Sequence, residues 1–246
     1  MSAARWPYLS TFSITARCPR SGELGIAVST CEPCVGWIVP FVRAGVGAIA
    51  SQARSNPYFG IDGLDLLAGG RDAPETLALM LALDAPEDRE QRQLAIVDST
   101  GKTAAYTGPH CQLWAGHRVD EGVVAAGNLL VGPETVDAML NRYLATPADS
   151  LGERLVSALE AGQAAGGDRR GRISAALLVA KEGAWPWIDV RVDSHAEPVA
   201  ELRRIFEEFK TAHLDPAREE MIAPPVVCPI AAARDTKEVI DRVSGD

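Results

Sequence analysis

Thr11-Phe12-Ser13-Ile14-Thr15-Ala16-Arg17 and Leu24-Gly25-Ile26-Ala27-Val28-Ser29-Thr30 are the two runs whose reading decides the fold. The first alternates polar and β-forming residues, and the second is a similar run. Between them, Pro19-Arg20-Ser21-Gly22 supplies turn chemistry. Strands joined by so tight a turn run antiparallel. The chain thus opens, ten residues in, on a β-hairpin.

Working outward, residues 46–53 read as a third apolar strand, entered through Ala44-Gly45. A helix is expected over 63–69, ending at Gly69-Gly70, and a second over 72–83 with Pro74 in its first turn. Strands follow at 92–99 and 102–107 around Thr100-Gly101, and at 122–130. Amphipathic helices are expected at 133–144 and 150–162, the second opened by Ser150 and Glu153 in capping-box spacing. Two more strands, 173–181 and 187–193, precede a charged helix over 197–213 whose buried stripe is Leu202, Ile205, Phe206 and Phe209. The tail from Asp215 holds Pro224-Pro225, Pro229 and a short polar helix candidate. Strand groups alternate with helix pairs, and no linker precedes about residue 215. Two stacked antiparallel sheets between helix layers satisfy this order, an α+β arrangement. One open sheet with helices on one face is the alternative.

Composition narrows function. Of 246 residues, 24 are Lys or Arg and 33 are Asp or Glu, a net charge of −9. That argues against a nucleic-acid partner and against polybasic attachment to a membrane. No stretch reaches the ~18 apolar residues of a bilayer span. Residues 1–10 lack the apolar region of a secretory signal, so a cytoplasmic protein is expected. Five cysteines, an odd number, do not suggest a disulfide scaffold.

Few residues stand out chemically. Cys31-Glu32-Pro33-Cys34 is a CxxC, but zinc needs two further ligands and only His110-Cys111 offers them. The plainer reading is two loop cysteines, and no metal or cofactor is expected. His117 follows Trp114-Ala115-Gly116, before a strand, and reads as structural; His195 and His213 read as solvated. Gly166-Gly167-Asp168-Arg169-Arg170-Gly171 is no phosphate loop, since no Gly-Lys-Ser/Thr follows. Such a loop lets a carboxylate and a guanidinium approach a ligand, or simply pairs Asp with Arg. Asn128 and Gln52 are amides at the ends of apolar strands, where an amide orients a substrate, holds an oxyanion or caps a bend. Thr11 reads by default as a β-former. At the head of the first strand of a sandwich it can instead serve as an N-terminal nucleophile, its own α-amine taking the proton. That device needs no histidine, and the chain has four.

A set of short stretches in order resembles one family. They are Thr11-Phe12-Ser13-Ile14, Gly22-Glu23-Leu24-Gly25-Ile26-Ala27-Val28, Ala44-Gly45-Val46-Gly47-Ala48 with Gln52-Ala53, and Arg92-Gln93-Leu94. Cys111 with Trp114-Ala115-Gly116-His117, Gly127-Asn128-Leu129, and the Gly166–Gly171 loop with Ser174-Ala175-Ala176-Leu177 complete the set. Together they resemble the domain of unknown function 1028 family, described as similar to Ntn hydrolases, over roughly residues 11–199. The resemblance implies a four-layer αββα sandwich and amide-bond hydrolysis as the parent chemistry, and it names no substrate. It implies Thr11 as nucleophile with Asn128 beside it, and Gln52, His117, Asp168, Arg170 and Ser174 around a small-molecule substrate. A homodimer follows by analogy. The domain expected is 11–214, with an extension at 1–10 and a tail at 215–246.

The chain departs from that pattern in four places. The family places Thr directly after the initiator Met, whereas here ten residues precede Thr11 and loss of Met1 exposes Ser2. Ala126 stands where the family tends to have Gln before Gly-Asn, and Ile173 where a Gln often precedes Ser-Ala-Ala. Cys31 and Cys34 are not family features. Three functions follow as expectations: an amidohydrolase activated by processing before Thr11, a non-catalytic Ntn-like ligand or partner binder, and a metal protein built on Cys31 and Cys34. The second predicts an ordered N-terminal segment covering Thr11.

Overall fold

In the computed structural model, which describes residues 8–214 (the first two by backbone alone), the opening hairpin is the middle of a six-stranded sheet. β1 is Tyr8–Leu9, β2 Thr11–Arg17, β3 Leu24–Thr30, β4 Pro40–Arg43, β5 Gly47–Arg54 and β6 Arg92–Asp98. β7 is Thr103–Thr107, β8 Trp114–Asp120, β9 Val123–Leu130, β10 Ser174–Ala180 and β11 Ile188–Val192. The helices are α1 Pro57–Ala68, α2 Ala73–Leu83, α3 Pro86–Arg89, α4 Glu134–Leu144, α5 Leu151–Ala164 and α6 Pro198–Phe209. One sheet runs β11-β10-β3-β2-β9-β8 and the other β1-β5-β6-β7, with β4 also on β5. β4 pairs with residues 47–50 and β1 with residues 53–54, so the two share the edge of β5 that β6 leaves open. Every pairing is antiparallel.

Alternation along the strands makes the layers. Ile26 and Val28 of β3, Ala48 and Ala50 of β5, Ala95 and Val97 of β6, and Val124 and Ala126 of β9 form one core between the sheets. The residues between them on β5 and β6, namely Ile49, Leu94 and Ile96, point the other way onto Phe59, Leu64, Leu67 and Met80 of α1 and α2. On the far sheet Phe12 and Ile14 of β2 are buried toward α4 and α5, where Met139, Leu155 and Leu159 are also buried. The result is helix, sheet, sheet, helix, the α+β sandwich the element order implies, and the single-sheet alternative fails.

Local chemistry explains most boundaries. α1 starts six residues before the expected 63: Asn56 accepts from Tyr58 N (3.1 Å) and Pro57 sits at the first position. Asp72 and Glu75 close a reciprocal capping box on α2, and Ser150 accepts from Glu153 N (3.4 Å) at the head of α5. β4, β8 and α3 are elements the sequence reading missed.

The chain divides into two compact units, residues 1–204 and 205–246. Both sheets lie in the first. In the second, the described residues are the end of α6 and a π-helical turn, Lys210–Leu214. The tail from Asp215, its helix candidate and Cys228 lie outside the described residues.

Candidate active site at the head of β2

Thr11 is the first residue of β2 and is wholly buried. Its register partners are Thr30 of β3 and Asn128 of β9. Ser10, also wholly buried, is clamped from both sides: its carbonyl accepts from Thr30 Oγ1, and its hydroxyl donates to Asn128 O at 3.2 Å. One residue upstream, Leu9 and Tyr8 pair with Ala53 and Arg54 of β5. The Thr11 nitrogen is therefore an internal peptide nitrogen, and residues 8–10 before it are held by β5, Thr30 and Asn128.

Cross-strand pairing puts Thr11, Ser13 and Thr15 on the face of β2 that meets the opposite sheet, in register with Asn128, Ala126 and Val124. That face is polar inside an apolar core, and a network answers it. Ser13 Oγ donates to Gln52 Oε1 (2.8 Å), and Gln52 Nε2 donates to Gln93 Oε1 (2.8 Å). Asn128 Nδ2 donates to the same oxygen (3.0 Å). Gln93 Nε2 faces Gly127 O (2.8 Å), Gly116 O (3.2 Å) and Thr107 Oγ1 (2.9 Å). Backbone carbonyls only accept, so they fix which end of Gln93 is nitrogen. That choice propagates: Gln93 presents an acceptor, so Gln52 and Asn128 must both present amide nitrogen. Asn128 Oδ1 is left as a buried acceptor without a hydrogen-bond partner among the described residues.

The backbone is strained at the same place. Ala53, following Gln52, has φ 61°, and Leu129, following Asn128, has φ 54°. Left-handed non-glycine residues cost of order 1–3 kcal/mol each and concentrate where the fold holds a site in shape. Here both strained residues follow an amide of the network.

The remaining expected site residues are placed as follows. Asp168, with its carboxylate almost fully buried, accepts from Cys31 N (3.1 Å) and Arg170 N (2.9 Å). Arg170 reaches Glu32 at 3.1 Å and Asp168 at 3.6 Å. Ser174 donates to Glu32 O (2.6 Å) and accepts from Val35 N (3.1 Å). These three residues thus fasten the loop that carries Cys31 and Cys34, and Glu32 N donates to Thr30 Oγ1 (3.4 Å), beside Ser10. His117 lies within β8, not before a strand, and its Nδ1 meets Thr107 Oγ1 at 2.9 Å. Burial, with Arg118 nearby, holds its pKa below the usual histidine value. Thr11, Asn128 and, through Gln93, Gln52 and His117 belong to one connected region; Asp168, Arg170 and Ser174 form its neighbouring loop.

Cys31 is buried and its thiol is pushed up to about 12, by burial first and then by Asp168. Cys34 is exposed with φ 60°, at the start of the 3-10 turn Val35–Trp37. Among the described residues no group of three or more His, Cys, Asp or Glu is placed to hold a metal ion. No helix among them is long and apolar enough to cross a membrane. Sequence reading missed Ser10, Ser13, Thr30 and, as a site residue, Gln93. The available signal was a glutamine at an inward position of a strand otherwise reading Leu94-Ala95-Ile96-Val97.

Comparison with known proteins identifies the family. No match to a curated protein was found. A crystal structure of a Silicibacter pomeroyi protein, itself of the DUF1028 family, superposes with a TM-score of 0.75 at 31% identity, covering 82% of this chain and 89% of that one. The profile of a family of unknown function, DUF1028, matches residues 11–202, beginning on the buried threonine at the head of β2. The chain belongs to the DUF1028 family.

Proposed function

We propose that the protein is a latent hydrolase of a small amide-like C–N bond, with Thr11 as its nucleophile once residues 1–10 are removed. Thr11 Oγ would attack the substrate carbonyl while the liberated α-amine takes its proton. The C–N bond breaks, the amine leaves with that proton, and water hydrolyses the resulting ester. An α-amine suits the task because its ordinary pKa is about 7.7–8.0. Asn128 Oδ1 carries this reading: it is a buried acceptor without a hydrogen-bond partner among the described residues, in register beside Thr11, inside a network that fixes its polarity. An acceptor there orients an N–H group, either the substrate's amide or the Thr11 ammonium. One Nδ2 hydrogen is engaged with Gln93, which leaves the second as the one hydrogen Asn128 could give to an oxyanion.

A second reading has its own observation. In the unprocessed chain Thr11 is wholly buried under an ordered Tyr8–Ser10 segment, as expected of a non-catalytic binding protein. The two separate in one experiment. Intact-mass analysis of native protein gives the mature N-terminus, and wild type and Thr11→Ala are assayed for amine or ammonia release from a panel of small amides. Removal of residues 1–10, with activity that Thr11→Ala abolishes, supports the hydrolase. A native mass retaining residues 1–10, with equal activities in the two proteins, sinks it.

A further inference from the structure

The opposite end of β2 holds a second cleft. Six residues of strand separate Arg17 from Thr11, roughly 20 Å at strand rise, so this cleft shares nothing with the site above. Its volume is about 340 Å³, and Arg17, Arg154, Tyr143, Leu144, Asp120 and Glu121 are on its walls. That is within the size range of small-molecule sites.

Its charges are unusual. Arg154 is 5% exposed. It stacks over the Tyr143 ring at 3.7 Å, and Nε and Nη2 both donate to Tyr143 O (3.3 and 3.1 Å). No carboxylate within 4 Å neutralises it among the described residues, although a buried guanidinium is normally paired. Arg17 is half-buried, and its Nε is a buried donor without a partner among the described residues. Its side chain runs along Gly101: a Cβ built there would lie 4.0 Å from Arg17 Cδ. On the same cleft, Asp120 and Glu121 are exposed at the β8–β9 turn. The four formal charges sum to zero, but the cations are the more deeply buried pair. Tyr143, pushed up to about 12 chiefly by burial, stays neutral and donates to Arg17 O at 3.4 Å.

We propose that this cleft binds a zwitterionic amino acid. The carboxylate would take the guanidinium of Arg17, a lining residue with no ion pair among the described residues, with Arg154 beside it, while the ammonium faces Asp120 and Glu121 and an apolar side chain lies on Leu144 and Tyr143. A phosphate monoester fits less well, because its second negative charge meets the acidic rim.

The test is an NMR titration of the full chain with L-leucine, with 4-methylpentanoate, isopentylamine and inorganic phosphate in parallel. Saturable leucine binding below about 10 mM is expected, with the carboxylate alone weaker and the amine alone not binding. Arg17→Gln should weaken leucine roughly tenfold or more, the scale of one lost charge-assisted hydrogen bond. Arg17→Lys should recover part of it. Arg17 is used because Arg154 also holds the end of α4. A D120N/E121Q variant should weaken leucine while 4-methylpentanoate binds as well as before or more tightly. Absence of saturable leucine binding, equal affinity in Arg17→Gln, or phosphate binding tighter than leucine would each overturn the proposal.

Discussion

Gln93 holds the candidate site together through a single side chain. Its oxygen serves Gln52 and Asn128, and its nitrogen serves two backbone carbonyls and Thr107. Replacing it with leucine, close to it in size, leaves at least three buried groups unpartnered, each costing about 1–3 kcal/mol. Gln93→Leu should therefore lose about 3 kcal/mol or more by denaturant titration. Gln93→Glu should also be strongly destabilising when ionised, because one carboxylate oxygen then faces the Gly127 and Gly116 carbonyls, and its loss should shrink at low pH, where the acid can donate there. His117, on the rim of the same network, gives a pH signature. Burial lowers its folded pKa, so between that value and the unfolded value of about 6.5 the unfolded chain binds more protons. Stability then falls as pH drops through about 6.5 and levels off below the folded value. Thermal midpoints between pH 8 and 5 should fall less steeply in His117→Gln than in wild type; parallel curves would show that His117 does not set the slope.

Elements were legible in proportion to how plainly they alternate or cap. The β2–β3 hairpin reads directly, because Phe12, Ile14 and Ala16 alternate with the polar positions and Ser21-Gly22 turns the chain. β8 does not, because Trp114–Asp120 is an edge strand with no fully buried position. α1 was legible only from residue 63 on, and its glycines Gly60 and Gly63 mark close packing. A Cβ on Gly60 would lie 2.0 Å from Phe41 Cγ on β4, and one on Gly63 would lie 2.6 Å from Ile49 Cδ1. The same contact makes a prediction about α1 and β4 as a unit. Gly60→Ala should destabilise by about 1–3 kcal/mol despite alanine's better helix propensity. Pairing it with Phe41→Leu should recover part of that loss in a double-mutant cycle. Additive effects would mean α1 moves away from β4 without strain. The polar network was the least legible feature, since its members come from β2, β5, β6, β7, β8 and β9 and meet only after two sheets stack.

At the scale of the whole molecule, the proposed nucleophile depends on residues 8–10. With them in place, Ser10 takes the Thr30 hydroxyl and Asn128 O, β1 extends the edge of β5, and Thr11 is inside. Without them, those groups lose their partners and an α-amine stands at the head of β2, in register with Asn128. A chain beginning at Thr11 should therefore be less stable and more reactive at once. Losing the β1 pairing and two buried hydrogen bonds at about 1 kcal/mol each corresponds to a midpoint roughly 5–10 °C lower for a domain of this size. The new amine should titrate near its ordinary value of about 7.7–8.0, and amide hydrolysis should rise with pH through that range, because the base acts deprotonated. Differential scanning calorimetry and pH-rate profiles of the full-length and trimmed chains check both parts. A lower midpoint without activity would leave residues 8–10 as a structural strap and favour the binding-protein reading. An unchanged midpoint would remove the premise that this segment holds the end of the sandwich closed.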